Sequence, residues 1–580
     1  MQYSDIISVN LWQIVVSLLK QHGIKKVVVS PGSTNVTFVG SIQYDPYFEI
    51  YSSVDERSAA YIACGLAAES GEPVAISCTG ATASRNYYPA LTEAYYRKLP
   101  VLAITSTQDE SKIGHLIPQI IDRSNQPKDT IKHSVHLPTV KDLDDEWYCI
   151  VKANEAMLAL KHHGSGPVHI NLTTTYSKDF SVKELPVVRK IERWMSWEHN
   201  SFPSIPEGKI LIYIGSHTRM SDELILSIDQ FCSNYNAAVI VDSTSNYNGK
   251  YRVPYQIVAQ QQIYKPNLNA DLLIHIGEMS DFAAIVGQPK QVWRVNEDGK
   301  LVDRYRKLKV VFEMPELCFF KHYSIDHKEK KNSYYQALIA ECNRLWKKVP
   351  ELPFSHLWVA SQLHNKFPEN STLHLGILSP LRSWGYFPLN PNMEVYCNQG
   401  GFGIDGNMSS LLGASLVNSN NIYYGVVGDL SFFYDMNVLG NHHVNKNIRI
   451  MLINNSLGAE FHLFKQTNST NVNNIDKYIS AGGHFGKKSP VVVKNLAENW
   501  GYEYLCASSK EEFKSVYNRF LTPEMTEKPM IFEIFTDVKS ENDALHKIYN
   551  IEVSQETIIK RAIKGIAGEK VINTVKKFVK

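Results

Sequence analysis

Two polar side chains in the last third of the chain have the types and the spacing to bind a metal ion. Asp429 follows the segment YYGVVG, and Asn455 follows the next apolar segment, IRIMLIN. Ligand sites of open α/β sheets lie beyond the carboxyl ends of the strands, so we expect these residues at one edge of a sheet. The carboxylate, the amide oxygen and the Leu457 carbonyl suit Mg²⁺, and diphosphate oxygens with a water would complete its ligands. The pattern predicts a site for Mg²⁺ and a diphosphate. The alternative is an ordinary turn at the end of a strand, and only the spacing of the two residues argues against it.

The segment CNQGGFGIDG, residues 397–406, holds four glycines within seven positions. Because glycine has no Cβ, the backbone of such a segment can approach a ligand closely. A cluster of this kind is typical of a turn, a bulge or the binding loop of a phosphate-bearing cofactor. Since the segment lies shortly before Asp429, we expect it beside the same site.

The elements that must position these residues follow an α/β pattern in three successive parts of the chain. Short apolar strands such as VVVS, ILIYI and YYGVV alternate with segments of helical periodicity, which predicts doubly wound parallel sheets covered on both faces. Polar, proline-containing stretches separate the parts. We place three domains at residues 1–185, 186–350 and 351–545, and a C-terminal basic helical extension at 546–580.

Composition excludes several classes of protein. The 580 residues carry a net charge of only +2, which argues against nucleic-acid binding. Eight cysteines without a CxxC pair argue against a disulfide framework and a structural zinc site. The sequence shows neither a secretory leader nor an apolar run of membrane-spanning length, so we expect a cytoplasmic protein.

The metal-site residues also carry a family resemblance. GDLS at 428–431 and the NN pair at 454–455 resemble the motif of thiamin diphosphate enzymes, in which GDG or GDL precedes NN. The resemblance implies thiamin diphosphate and Mg²⁺ as cofactors, with Asp429, Asn455 and Leu457 as metal ligands. It further implies that Ile404 is the bulky apolar residue that holds the cofactor in a V shape. The residues expected around the cofactor are Gly400, Gly401, Gly403, Ile404, Gly428, Leu430, Ser431, Ser456 and Gly458.

A cofactor of this kind needs an acid, and Glu56 is the candidate. It lies in VDERSAA, where a predicted strand-end loop meets an apolar helix. A carboxyl group held in an apolar setting can share a proton with N1′ of the cofactor's pyrimidine, so we expect Glu56 to be catalytic. An ordinary acid stabilised by the helix dipole is the alternative, and the GDL and NN pattern favours the catalytic role.

The resemblance extends over nearly the whole chain. VVVSPGS, DERSAAYIACGLAAESGEPVAISCTG, NQGGFGIDG and GDLSFFYDMNVLG are similar to segments of 2-succinyl-5-enolpyruvyl-6-hydroxy-3-cyclohexene-1-carboxylate synthases of the menaquinone pathway. The resemblance implies a pyrimidine-binding, a central and a diphosphate-binding domain. It also implies a homodimer or homotetramer in which Glu56 serves the cofactor of the neighbouring subunit. That family decarboxylates 2-oxoglutarate and adds the acyl fragment to isochorismate.

Departures from the family pattern fall where the substrates would bind. Arginine is the natural partner of carboxylates, yet Thr34 and Gln399 stand where the family has arginines. Arg382 in LGILSPLRSW matches a retained substrate-binding arginine. We therefore expect a 2-oxo acid decarboxylase and carboligase with a different acceptor, such as a sugar derivative. The expected substrate residues are Ser33, Thr34, Asn86, Gln119, Arg382 and Gln399.

Other functions stay open at this point. The chain could be a true synthase of that family, a simple 2-oxo acid decarboxylase, an acetolactate synthase-like enzyme, or a binding module without turnover. The tail from Lys560 to Lys580 has seven basic residues and one glutamate, with apolar residues at helical spacing. A solvated helix packed on its own domain is the favoured interpretation of this tail, and membrane contact is the alternative.

Overall fold

The computed structural model describes residues 10–174, 180, 182–188, 190–191, 202–262, 268, 270–282, 286–300, 302, 304–305, 307–324, 332–369, 371–462, 478–482 and 491–552. Three six-stranded, all-parallel sheets organise the described chain, each flanked by helices. The predicted α/β class is therefore confirmed, while the exact domain boundaries stay predictions. The basic tail from Lys560 to Lys580 lies outside the described residues.

The first sheet has the strand order β2-β1-β3-β4-β6-β5. Its four inner strands, β1, β3, β4 and β6, are buried, as expected for a sheet that is covered on both faces, while the edge strands β2 and β5 are partly exposed. The strands are β1 Lys26–Val29, β2 Glu49–Ser52, β3 Val74–Cys78, β4 Val101–Thr107, β5 His133–Leu137 and β6 Val168–Thr173. The helices are α1 Asn10–Gln21, α2 Val36–Ile42, α3 Glu56–Ser70, α4 Thr82–Asn86, α5 Tyr88–Tyr96 and α6 Leu143–Ala159.

The second sheet has the order β12-β11-β10-β7-β8-β9, so the strand order reverses between β7 and β10. Its strands are β7 Ile210–Ile214, β8 Ala237–Val241, β9 Arg252–Val253, β10 Leu272–Ile276, β11 Val292–Val295 and β12 Leu308–Phe312. The helices are α7 Asp222–Tyr235, α8 Gln256–Ala259, α9 Glu316–Tyr323 and α10 Ser333–Trp346.

The third sheet has the order β14-β13-β15-β16-β18-β17. Its strands are β13 Ser371–Leu375, β14 Glu394–Tyr396, β15 Ile422–Gly428, β16 Ile448–Asn454, β17 Glu503–Ala507 and β18 Met530–Phe535. The helices are α11 His356–Leu363, α12 Ser379–Gly385, α13 Asn407–Ser415, α14 Asp429–Tyr434, α15 Val492–Asn499, α16 Lys510–Phe520 and α17 Val538–Tyr549. Within the described ranges, none of the helices combines the length and apolar character that a membrane crossing requires.

A close helix crossing joins the first and third sheets. A Cβ atom added to Gly65 on α3 would lie 2.0 Å from the Ser410 carbonyl oxygen on α13. A Cβ atom added to Gly413 on α13 would lie 2.0 Å from the Ile62 carbonyl oxygen on α3. The two helices therefore meet backbone to backbone, and their alanine and leucine side chains share one buried core. This crossing fixes α3, which begins at Glu56, relative to the glycine-rich segment before α13.

Candidate active site

The two predicted metal ligands follow adjacent parallel strands. Gly428, the last residue of β15, pairs with Ile453 near the end of β16. Asp429 is the first residue of α14, and Asn455 comes directly after β16. The structure therefore places both side chains at the carboxyl edge of the third sheet, at the position that their spacing predicts.

Asp429 is a buried carboxylate, with 5% of its surface exposed. Its Oδ1 accepts the N–H of Leu430 at 2.9 Å, and the backbone of Ser456 also donates to the carboxylate. Burial raises the pKa of Asp429 to about 7, and the nearby Glu533 adds to this rise. In the part of the chain that the structure describes, Asp429 makes no ion pair with a basic side chain. A buried carboxylate of this kind fits a divalent cation, because the cation would supply the missing positive charge.

A tight turn after β16 holds the remaining predicted metal-site residues. Asn455 Oδ1 accepts the N–H of Leu457 at 3.3 Å, and Ser456 has a left-handed φ of 65°. The Leu457 carbonyl accepts the N–H of Ala459 at 2.9 Å, and the N–H of Gly458 donates to the Ser480 carbonyl at 2.6 Å. The turn lies next to Asp429, to which the Ser456 backbone donates, and its amide and carbonyl oxygens each accept a backbone N–H within the turn.

Hydrogen bonds to the Ile404 carbonyl tie the glycine-rich segment to the carboxyl edge of the third sheet. Ser431 Oγ on α14 donates to the Ile404 carbonyl at 2.6 Å. Asn407 Nδ2, at the start of α13, donates to the same carbonyl at 2.8 Å and to Ser431 Oγ at 2.8 Å. Asn407 is a site residue that the sequence argument missed, although it lies only three positions after Ile404. The structure therefore brings two predicted cofactor residues, Ile404 and Ser431, into direct contact.

Gly400 and Gly401 contact the first domain in this structure. The N–H of Gly401 donates to Oε2 of Glu93 on α5 at 2.6 Å. A Cβ atom added to Gly400 would lie 2.7 Å from the Glu93 carbonyl oxygen. A Cβ atom at Gly403 would lie 2.3 Å from Asp405 Oδ1. The contact with α5 accounts for the glycine at position 400, and the contact of this segment with a cofactor stays a prediction.

A second group of predicted residues lies at the carboxyl edge of the first sheet. Glu56 is the first residue of α3, where Asp55 caps the helix by accepting the N–H of Arg57 at 3.0 Å. Asn86 Nδ2 donates to Glu56 Oε2 at 3.3 Å. Gln119 Oε1 accepts a hydrogen bond from the Ser33 hydroxyl at 3.3 Å. These contacts join two pairs of predicted residues on neighbouring loops.

Thr34 belongs to the same edge, but its hydroxyl is used within the fold. The side chain is 2% exposed. Its Oγ1 lies 2.8 Å from Thr79 Oγ1, and it accepts from Ser106 Oγ at 3.0 Å and from the N–H of Gly80 at 3.1 Å. Thr34 therefore stabilises the loops at the ends of β1, β3 and β4.

Arg382 and Gln399 lie where the second and third domains meet. Arg382 Nε donates to Asp281 Oδ2 at 2.6 Å, and its Nη1 pairs with Glu460 Oε1. Gln399 is fully buried, and its Nε2 donates to Thr244 Oγ1 at 2.8 Å. Its Oε1 accepts the N–H of Asp281 at 3.0 Å. Asp281 and Glu460 are neighbours of the site that sequence reasoning did not identify.

The predicted residues thus form two groups on different sheets. Among the described residues, no hydrogen bond or ion pair joins the group around Glu56 to the group around Asp429. The helices that carry the two groups are nevertheless in direct contact, since Arg57 Nη2 on α3 donates to the Tyr434 carbonyl at the end of α14, at 2.9 Å. The chain therefore carries two predicted half-sites, one around Glu56 and one around Asp429.

Comparison with known proteins identifies the cofactor class. Residues 9–126 match the family model "Thiamine pyrophosphate enzyme, N-terminal TPP binding domain". The chain is similar in structure to the thiamin diphosphate-dependent 4-hydroxybenzoylformate decarboxylase of Rhodococcus jostii RHA1, with a TM-score of 0.65 and 16% identity. That match covers 91% of this chain and 99% of the decarboxylase, so it shows a shared fold.

Curated relatives match the chain over almost its whole length. The 2-succinyl-5-enolpyruvyl-6-hydroxy-3-cyclohexene-1-carboxylate synthase of Bacteroides thetaiotaomicron is 32% identical and covers 96% of this chain and 100% of the relative. The synthase of the same name from Phocaeicola vulgatus is 31% identical and covers 94% and 99%. Full-length identity at this level, together with the matching domain and the half-sites described above, places the chain in the 2-succinyl-5-enolpyruvyl-6-hydroxy-3-cyclohexene-1-carboxylate synthase family of thiamin diphosphate-dependent enzymes.

Proposed function

We propose that this enzyme uses thiamin diphosphate and Mg²⁺ to decarboxylate a 2-oxo acid and to transfer the acyl fragment to an acceptor. The observation that best supports this proposal is the buried Asp429 carboxylate beside Asn455. In the described chain its charge lacks a basic partner, and Ser431 on the same helix contacts Ile404. A metal-bound diphosphate with its heterocycle over Ile404 would meet both features.

The chain's own residues have distinct tasks in this proposal. The Asp429 and Asn455 side chains and the Leu457 carbonyl would hold Mg²⁺. The backbone at Gly428, Leu430, Ser431, Ser456 and Gly458 would surround the diphosphate, and Gly400, Gly401, Gly403 and Ile404 would lie along the heterocycle. When bound, thiamin diphosphate supplies the electron sink for loss of the carboxylate.

Glu56 would hold a proton against the cofactor's pyrimidine ring. Asn86 orients its carboxylate by donating to Oε2. The position of Glu56 and Asp429 at the edges of two different sheets of one chain supports a site that is completed by a second copy. A cytoplasmic homodimer or homotetramer is part of this proposal.

The choice of acceptor rests on two departures of this sequence from the family pattern. Thr34 and Gln399 replace two arginines of the family pattern, and both side chains are buried with their polar atoms bonded inside the protein. A doubly anionic acceptor would lose two charge-assisted contacts. We therefore favour a neutral, hydroxyl-rich acceptor such as a sugar derivative. The second candidate is the synthase reaction named for the relatives, and their full-length similarity favours it.

The test is CO₂ release from a panel of 2-oxo acids with thiamin diphosphate and Mg²⁺, first alone and then with isochorismate or sugar aldehydes. We expect release that depends on both cofactors and that is lost in Glu56→Gln. Glu49→Gln is the matched control, because Glu49 is an exposed acid on the edge strand β2. Absence of release with every acid would refute the proposal. Ordinary enzyme turnover with 2-oxoglutarate and isochorismate would establish the second candidate instead.

A further inference from the structure

The glycine-rich segment, residues 397–406, lies between β14 and α13 and forms neither a helix nor a strand. Its backbone groups therefore lack a regular hydrogen-bond ladder, and contacts with other parts of the chain have to fix its position. The hydrogen bonds to the Ile404 carbonyl hold its second half against α13 and α14. Its first half lies against α5 of the first domain.

A buried acid on α5 holds the backbone of this first half. Glu93 is 1% exposed, and its Oε2 accepts the N–H of Gly401 at 2.6 Å. Hydrogen bonds to a charged acceptor are shorter and about twice as strong as bonds between neutral groups. Burial raises the pKa of Glu93, while Arg97, one helical turn later, favours the charged carboxylate, since its Nη1 lies 3.6 Å from Glu93 Oε1.

The arginine of this ion pair contacts the same segment. Arg97 is buried, and its Nη1 donates to Asn398 Oδ1 at 3.3 Å. Asn398 Nδ2 in turn donates to the Gly406 carbonyl at 3.3 Å and to Ser410 Oγ on α13 at 3.1 Å. One ion pair at the end of α5 thus bonds to two residues of the segment, Asn398 and Gly401.

The glycine at position 400 is required by a close approach to the same helix turn. A Cβ atom added to Gly400 would lie 2.7 Å from the Glu93 carbonyl oxygen, 3.0 Å from Tyr96 Cβ and 3.2 Å from Arg97 Cγ. A Cβ atom added to Gly401 would meet its nearest neighbour, Glu93 Oε2, at 3.4 Å, which is ordinary van der Waals contact. Two adjacent glycines therefore differ sharply in how much room α5 leaves them.

We propose that Glu93 and Arg97 are positioning residues, which hold the glycine-rich segment where it meets the heterocycle of thiamin diphosphate. The inference rests on the proposed function, in which this segment lies along the heterocycle. Without the ion pair, the first half of the segment loses its attachment to the first domain, while the bonds to Ile404 remain. The segment then samples more conformations, and ordering it again on binding reduces the affinity for the cofactor.

Hydrogen–deuterium exchange on the protein without cofactor measures the attachment directly. In Glu93→Ala we expect the amides of residues 397–406 to exchange at least about tenfold faster than in the wild type, because a hydrogen bond to a charged group is lost. Glu93→Gln keeps an acceptor oxygen for the Gly401 N–H and should restore most of the protection.

Asp45→Ala is the matched control. Asp45 is another buried acid of the first domain, which pairs with Lys20 at 2.8 Å and accepts the N–H of Tyr47 at 3.0 Å. The apolar side chains of α1 and of the loop before β2 pack in a different core from those of α5. Asp45→Ala should therefore reduce stability and leave exchange in the glycine-rich segment unchanged.

Calorimetric titration with thiamin diphosphate and Mg²⁺ measures the effect on the cofactor. We expect the dissociation constant to rise at least about tenfold in Glu93→Ala and to stay within about threefold of the wild type in Glu93→Gln. Asp45→Ala should bind the cofactor like the wild type. A general loss of stability would instead affect Glu93→Ala and Asp45→Ala alike.

Two glycine variants test the same contact without removing a buried charge, and they decide the question if Glu93→Ala does not fold. Gly400→Ala pushes the segment away from α5, so its amides should exchange faster in the protein without cofactor. Gly401→Ala leaves ordinary contact distances and should exchange like the wild type.

The possible results separate the inference from the proposed function. Unchanged exchange of the segment in Glu93→Ala and Gly400→Ala would overturn the inference, and so would faster exchange with an unchanged dissociation constant. In both cases the proposed function stands, provided that the wild type binds the cofactor and releases CO₂ from a 2-oxo acid. If the wild type binds no thiamin diphosphate, the proposed function fails and the inference fails with it.

Discussion

The crossing of α3 and α13 makes Gly413→Ala a sharp test of how the two half-sites are held. The added methyl group would lie 2.0 Å from the Ile62 carbonyl oxygen and 2.8 Å from the Ile62 carbonyl carbon. Ordinary van der Waals contact begins near 3.4 Å, so one helix must move by about 1.4 Å. Both obstructing atoms belong to the backbone of a buried helix, which cannot rotate away as a side chain would.

The cost follows from this geometry. Forcing extra volume into a packed core costs about 1–3 kcal/mol, and a backbone contact lies at the upper end, so we expect a loss of about 3 kcal/mol. The movement also reaches the cofactor residues, because Asn407 at the start of α13 holds the Ile404 carbonyl. Affinity for thiamin diphosphate should therefore fall together with stability.

Differential scanning calorimetry and calorimetric titration with thiamin diphosphate and Mg²⁺ measure the two effects. Gly166→Ala is the matched control, because the nearest atom to its new methyl group is Lys132 Cδ at 3.1 Å, a side-chain atom that has to move by only a few tenths of an ångström. We expect this control to unfold close to the wild-type temperature and to bind the cofactor normally. If Gly413→Ala behaves like the control, the backbone crossing does not position the site and the reasoning is wrong.

Three further outcomes are expected. Because burial raises the pKa of Glu541 to about 7, its contribution to stability is present below pH 4.5 and is lost as the pH rises through 7. Glu541→Gln should therefore match the wild type at pH 4 and exceed its stability at pH 8 by about 3 kcal/mol, measured by calorimetry at both pH values. Asp429→Asn should weaken Mg²⁺-dependent binding of thiamin diphosphate about 100-fold or more, and wild-type protein in EDTA should show the same loss by titration. Ser431→Ala removes the hydroxyl that donates to Ile404, so its cofactor affinity should fall about fivefold in the same titration.

The α/β fold and the positions of Asp429 and Asn455 at one edge of a sheet were predictable because they depend on local patterns. Buried strands of parallel sheets are continuous apolar runs, and the chain alternates them with helices. Asp429 and Asn455 each follow such a run directly, so their proximity required only that β15 and β16 be neighbours. The helix start at Glu56 was readable for the same reason, since an acid after a polar loop precedes an alanine-rich segment.

The surroundings of Arg382 were not predictable from the sequence. Its partner Asp281 lies 101 positions away, in the second domain, and Glu460 lies 78 positions away, after β16. Ion pairs over such separations depend on how whole domains pack, and no local spacing encodes them. The contact of Glu93 with Gly401 is of the same kind, with 308 positions between the two residues.

This difference explains why the predicted cofactor residues could be identified from the sequence more readily than the partners of the predicted substrate residues. Backbone groups and short turns bind a cofactor of fixed shape. The protein residues that bind it therefore occur at fixed spacing in the sequence. The predicted substrate residues depend on their partners as much as on their own residue types. Arg382 fits the family pattern as a residue type, yet its carboxylate partners Asp281 and Glu460 come from other parts of the chain, and Gln399 accepts the N–H of the first of these acids. A retained arginine therefore does not by itself identify the substrate.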